Sequence, residues 1–296
     1  MAGFSSILSP SPLEKAAAAV KKAKALIITA GAGMGVDSGL PDFRGPEGFW
    51  KAYPPLKDKG IELAEMSNPQ WFDDDPEFAW GFFGHRHNLY TRTEPHAGFQ
   101  ILKHWAEGME HGHFVFTSNV DGHFQRAGFS EDNVVECHGS INFMQCCDPD
   151  LSQKIWPTVK SEIKEVDISS LRMPPPLPQG PPGEAKQGLA RPNILMFGDW
   201  LFIGGRTYKQ ERRFSKFCDT LNKGNPPFVI IELGAGTSVP TVRYKSEHIT
   251  GKFPSSTLIR INPSEAHVPA DIRDRAISLP MKGLEALKAI DALVKN

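Results

Sequence analysis

The sequence predicts an α/β fold built on a parallel sheet, and three observations carry that prediction. Apolar runs without polar alternation recur along the chain, the first of them stops at a glycine-rich turn, and a helix-forming segment leads into it. Runs that are apolar on both faces belong to strands covered above and below, the arrangement of parallel sheets flanked by helices.

The elements follow in order. From Pro12, Leu13-Glu-Lys-Ala-Ala-Ala-Ala-Val-Lys-Lys-Ala-Lys is rich in strong helix formers, with lysines toward its end where they complement the helix dipole. The apolar strand Ala25–Ala30 comes next and ends at Gly31. Residues 47–92 are dense in aromatics, among them Phe49, Trp50, Tyr53, Trp71, Phe72, Trp80, Phe82 and Phe83, which predicts a helical insertion with its own small core. Inside it, Asp73-Asp-Asp-Pro-Glu77 reads as carboxylates opening a helix in preference to a metal site.

Later apolar runs start at His113, Asn133, Asn193, Phe228 and Thr257, and each ends in small or polar residues. Polar groups at strand ends are where open α/β sheets bind ligands. Between them, residues 141–190 hold the proline-rich Met173–Glu184, which continues neither a helix nor a central strand and reads as a surface loop before a polyproline ligand. Gly283-Leu-Glu-Ala-Leu-Lys-Ala-Ile-Asp-Ala-Leu has helical apolar spacing and closes the fold.

A chain of 296 residues, 40% hydrophobic, buries a full core. We read residues 1–296 as one domain, with a core of 13–46, 93–140 and 191–296, a helical insertion at 47–92 and a small Pro-rich module at 141–190. The net charge of −1 gives no general field to gather nucleic acid or an anionic membrane. No apolar run is long enough to span a bilayer, and four cysteines make no disulfide framework, so the expectation is a soluble protein of the cytoplasm or nucleus.

The turn Gly31-Ala32-Gly33-Met34-Gly35-Val36 follows the first strand, where absent side chains let backbone N–H groups approach a diphosphate, although a tight strand exit needs glycines too. Val36 stands where a dinucleotide fingerprint has its third glycine, and no carboxylate closes a second strand about twenty residues on. Both departures disfavour a hydride-transferring dehydrogenase.

The continuation, Asp37-Ser-Gly-Leu-Pro-Asp42-Phe43-Arg44-Gly45, resembles the sirtuin signature for NAD binding. The resemblance extends through Asn119-Val-Asp121, Cys137-His138-Gly139, Arg191–Asp199, Gly236-Thr237-Ser238 and Ile261-Asn262, in that family's order and approximate spacing. It covers most of the chain outside the two insertions. It implies a Rossmann-like sheet with a smaller inserted lobe, NAD as cosubstrate, and an acyl-lysine protein or peptide as partner.

Cleaving the bond to nicotinamide requires holding the carboxamide, stabilising positive charge at the ribose C1′ and excluding water. Asp121 accepts from the carboxamide NH2 and Asn119 offers donor and acceptor near the ribose, turn capping being the alternative for both. The family pattern places Phe43 over the nicotinamide end, and has Asp42 and Arg44 order the cofactor loop. His138 is the candidate base for a ribose hydroxyl. Gly31, Ala32, Gly33 and Ser118 fall on the cofactor side, with Gly236, Thr237 and Ser238 as a second phosphate and ribose contact and Asn262 as their ribose-side partner. Phe197, Gly198 and Asp199 match the segment that pairs with an extended peptide by strand addition, with Asp199 where glutamate is usual. The implied chemistry is attack of the acyl oxygen on C1′, loss of nicotinamide, activation of a ribose hydroxyl by His138, and release of lysine and acyl-ADP-ribose.

Departures bear on this reading. Zinc-bearing sirtuins place two Cys-x-x-Cys pairs after the His-Gly motif, whereas only the adjacent Cys146 and Cys147 occur here, so no structural zinc is expected. Cys137 beside His138 is a poor dyad, since neighbours on a strand point to opposite faces. Gly35 and Asp37 replace common serines, Ser118 replaces a common glutamine, and His96 reads as helix-start packing. The leading expectation is a zinc-free NAD-dependent lysine deacylase. The alternatives are a protein ADP-ribosyltransferase or NAD glycohydrolase, and a non-catalytic NAD-sensing module.

Overall fold

The computed structural model describes residues 9–41, 45–184 and 188–296, with backbone alone at 45–47. Its strands are β1 (Ala25–Ala30), β2 (His113–Thr117), β3 (Val134–Glu136), β4 (Gly139–Cys146), β5 (Ile155–Pro157), β6 (Gln179–Gly180), β7 (Gly188–Ile194), β8 (Phe228–Leu233), β9 (Ser256–Ile261) and β10 (Ala276–Leu279). Six make one sheet in the order β10-β9-β8-β1-β2-β3, with every pairing parallel. The other four form a small antiparallel sheet in the order β5-β4-β7-β6.

All six residues of β1 are buried, because the strand lies at the centre of the large sheet with both faces covered. Its alternate side chains divide between two cores, as strand geometry requires. Leu26 and Ile28 join the core under the helices Pro12–Lys22, Ala97–Glu107 and Gly283–Lys295, and Ile27 joins the core under Gly205–Gly224 and Thr241–Lys252. A capping box fixes the first helix, with Ser11 and Glu14 satisfying each other's backbone N–H groups.

The strand order reverses between β1 and β8, which opens a crevice at their C-terminal ends, the expected ligand position in such sheets. Two glycine turns meet there. Gly31 donates its N–H to Leu233 and Gly33 donates to Gly234, both at 3.0 Å. A Cβ on Gly33 would lie 2.7 Å from the Gly234 Cα, so that glycine is needed first for the contact between the turns.

The small lobe begins and ends elsewhere than the sequence suggested. Its sheet starts at Gly139 and returns at Ile194, so the lobe spans 139–194, wider than the expected 141–190. The junction is tight: Gly139 has φ +76°, and a Cβ on it would lie 2.1 Å from the Asn193 carbonyl oxygen.

The insertion forms helices from Gly45 onward, ending in the long Pro76–Arg92, and packs onto the small lobe. Trp80 donates its indole N–H to the Ala190 carbonyl at 2.9 Å, and a Cβ on Gly81 would run into the Leu171 carbonyl. Asp75 caps this helix by accepting from the Phe78 N–H and also takes both Arg172 guanidinium nitrogens at 2.8 Å, which matches the capping reading of the acidic run. Met173 and Pro178 of the proline-rich segment are buried, so it is anchored as part of the lobe. Among the described residues no helix is long and apolar enough to cross a membrane.

Candidate functional site

A cavity of about 360 Å³ lies where the ends of β1 and β2 meet the small lobe and the insertion. Ala32, Ser118, Asn119, Asp121 and His138 all line it, so the structure brings together five residues that the sequence places at one site.

Asn119 follows β2, with its backbone N–H donating to Thr117 Oγ1 at 3.0 Å. Its side-chain amide donates to the Gly31 carbonyl at 3.0 Å, tying the two strand ends and leaving Oδ1 as an acceptor at the cavity. Asp121 is buried and accepts from the His123 N–H through Oδ1 at 2.8 Å. These bonds occupy the Asn119 amide nitrogen and one Asp121 oxygen and leave an acceptor oxygen of each residue to the cavity, so the structural and ligand roles coexist.

His138 sits on the two-residue bridge between β3 and β4. Its carbonyl accepts from the Leu195 N–H at 2.9 Å, and burial lowers its imidazole below the ordinary value, favouring the neutral form that a base requires. Cys137 points away into the core beneath the large sheet, where burial pushes its thiol up to about 12. A Cys137–His138 dyad does not fit, because the thiol packs into that core while His138 lines the cavity.

The other expected cofactor residues sit farther along the crevice. Gly31 and Gly33 form its floor, where β1 meets β8. Asn262 is fully buried: its amide donates to the Ala235 carbonyl at 3.0 Å, and its Oδ1 accepts from Ser264 and Glu265 N–H groups. It therefore joins the turns after β8 and β9. Gly236, Thr237 and Ser238 form the open lip of the first of these turns, and Thr237 Oγ1 is hydrogen-bonded to the Glu265 carboxylate. Asp42, Phe43 and Arg44 lie outside the described residues.

Of the residues expected to pair with a peptide, Phe197 lines the cavity and Gly198 takes φ +67°, but Asp199 does not line it. Its side chain is buried and bound by both Arg191 guanidinium nitrogens at 2.8 and 2.9 Å, and it accepts the Met196 and Leu201 N–H groups. Asp199 holds the loop that carries Phe197.

Asp37 also finds a structural purpose, accepting the Leu284 N–H at 2.8 Å at the start of the terminal helix. His96 caps its helix through Nδ1, accepting from Gly98, which agrees with the packing expected of it.

Sequence reasoning missed the wall supplied by the insertion. Phe83, Arg86 and Tyr90 line the cavity from one face of Pro76–Arg92, at i, i+3 and i+7. Arg86 donates to the Tyr90 hydroxyl at 2.9 and 2.6 Å and stacks over the Phe82 and Tyr90 rings. A cation at core spacing within an aromatic helix was the available signal.

The small lobe offers poor ligands for zinc. Cys146 is fully buried and its thiol contacts the Gly180 carbonyl, while burial pushes the Cys147 thiol up to about 12. Only these two cysteines lie in the lobe, so a site of four thiolates does not fit its residues.

Residues 31–221 match the profile described as the Sir2 family. The NAD-dependent protein deacylase of Aquifex aeolicus is 29% identical over 219 residues, covering 71% of this chain and 80% of that protein. The NAD-dependent protein deacylase of Deinococcus radiodurans is 26% identical over 278 residues, covering 93% and 98%. Among solved structures, a mutant Sir2 homologue in complex with ADP-ribose aligns with TM-score 0.68 and 26% identity, over 95% of this chain and 96% of its own. A Sir2 homologue in complex with NAD gives 0.66 and 25%, over 95% and 92%.

Proposed function

The chain belongs to the Sir2 family, and on that premise we propose that it is an NAD-dependent protein lysine deacylase. The observation that carries this reading is the convergence of His138, Asn119 and Asp121 on one cavity beside the β1–β8 crevice. The crevice takes the diphosphate side of NAD, and the cavity takes nicotinamide, its ribose and the acyl-lysine.

Asp121 accepts from the carboxamide, and Asn119, fixed by Gly31, presents its acceptor to the ribose. The acyl oxygen forms a bond to C1′ as the bond to nicotinamide breaks, with the electron pair leaving on nicotinamide. His138 takes a proton from a ribose hydroxyl, whose oxygen attacks the acyl carbon. Water then completes release of free lysine and acyl-ADP-ribose. The apolar walls from Leu63, Phe83, Ile194 and Met196 keep bulk water from intercepting C1′. Substrates are acylated protein lysines in the cytoplasm or nucleus, and the small lobe is held by the core it shares with the helical insertion, without structural zinc.

The test is nicotinamide release from NAD with and without an acyl-lysine peptide library, comparing wild type with His138→Ala. Peptide-dependent release with acyl-ADP-ribose as product, lowered by about 10²–10⁴-fold in the variant, supports the reading. Peptide-independent release, or ADP-ribose attached to protein, replaces it with a glycohydrolase or transferase. Because burial lowers the His138 value and the base acts when neutral, the acid limb of the rate falls below the ordinary imidazole pKa of about 6.5. A limb above that value assigns the base elsewhere. Stoichiometric zinc in the purified protein would overturn the zinc-free lobe.

A further inference from the structure

Trp200 is 95% exposed, and it does not stand alone. Leu195, Phe197 and Leu201 are each 41–46% exposed, so four of the seven residues from Leu195 to Leu201 turn large apolar side chains to solvent. An aromatic of this size carries roughly 150–250 Å² of surface, and leaving it in water is unfavourable unless a partner covers it.

The loop is built to hold this display. Asp199 accepts from Arg191 twice and from the Met196 and Leu201 N–H groups, and Gln145, also fully buried, donates to the Leu201 carbonyl at 2.8 Å. Both ends of the segment bearing Trp200 are therefore tied to buried groups. Among the described residues the carbonyls of Met196 and Phe197 and the N–H of Gly198 have no hydrogen-bond partner, leaving a short backbone edge open beside the ring.

The same loop forms a wall of the His138 cavity through Leu195 and Phe197, and exposed Val239 lines that cavity too. The surface is thus continuous with the place where the acyl-lysine enters. Its only acidic side chain, Asp199, is buried and neutralised by Arg191, so nothing in the loop favours a cationic partner.

We propose that Trp200 is a specificity-determining residue that packs against a large apolar side chain of the substrate, within three residues of the acyl-lysine. The inference rests on the deacylase reading. A peptide in extended form bonds to the open edge, its lysine enters the cavity, and a neighbouring apolar side chain covers the indole.

The experiment measures kcat/KM for acyl-lysine peptides randomised at the three positions on each side, together with a capped single acyl-lysine, for wild type, Trp200→Ala and Trp200→Phe. Wild type is expected to favour an aromatic or large aliphatic residue at one flanking position by about tenfold or more. Trp200→Ala should lose that preference through a higher peptide KM, Trp200→Phe should keep most of it, and turnover of the capped residue and the KM for NAD should stay unchanged. The inference is overturned if the preference is absent, is cationic, or survives in Trp200→Ala. It also falls if Trp200→Ala alters only the oligomeric state, since the loop is then a contact between copies of the chain. Failure to turn over even the capped acyl-lysine refutes the deacylase reading itself, whereas turnover without flanking preference refutes this inference alone.

Discussion

In the large sheet, Arg260 lies directly opposite Glu232 across the β8–β9 pair, and both side chains are almost wholly buried. In the small sheet, Arg191 reaches from β7 forward to Asp199, eight residues on, and this pair is equally buried. The chemistry is the same, a guanidinium fork against a carboxylate, yet the first pair joins strands already held by a backbone ladder. The second supplies order to a loop that has no ladder of its own. A buried ion pair is weak evidence of stability gain, because desolvation offsets attraction, and the difference between these two lies in what each one positions.

The comparison breaks most visibly at Arg260. It serves Glu232 twice, Glu247 once and the His267 carbonyl, so Arg260→Met leaves two carboxylates without their cation. We expect a loss of roughly 3–5 kcal/mol in urea unfolding, with most of it recovered in Arg260→Met/Glu232→Leu. The deacylation parameters of the folded fraction should change little. A variant as stable as wild type would show that the pair is not sealed from water.

Asp199→Ala sharpens the other half. It strands the Arg191 charge, and since a freed loop admits water the cost should fall toward the low end, about 3 kcal/mol. Peptide KM should rise by about tenfold while the KM for NAD holds. Equal changes in both constants would mean that Asp199 supports the whole site and not the loop alone.

The same contrast governs what could be read from the sequence. Strand β1 was legible to the residue because burial on both faces demands an unbroken apolar run, and β8 was equally clear. The convergence of Asn119, Asp121 and His138 followed from motif order, since strand ends of a parallel sheet come together at one edge. The small lobe was legible only as an interruption: its strands borrow cover from the insertion, as Trp80 on Ala190 shows, and such borrowing leaves no local period. The helix Gly205–Gly224 went unread because eight of its twenty residues are charged and it buries only four side chains, two of them polar. Arg86 was hidden for the opposite reason, being a cation on a helix whose aromatics signalled core.

Asp37 offers the finest discrimination between structural and ligand roles, because it lies inside the cofactor signature while its carboxylate accepts the Leu284 N–H at 2.8 Å. Asp37→Ala leaves one orphan donor at the start of the terminal helix, which costs about 1 kcal/mol. Asp37→Ser keeps an acceptor of shorter reach and should cost less. If the residue serves only that helix, thermal unfolding shifts in this order while the KM for NAD stays constant across all three proteins. A raised KM for NAD in Asp37→Ala, with stability unchanged, would place the carboxylate on the ribose instead and move the boundary of the site into the terminal helix.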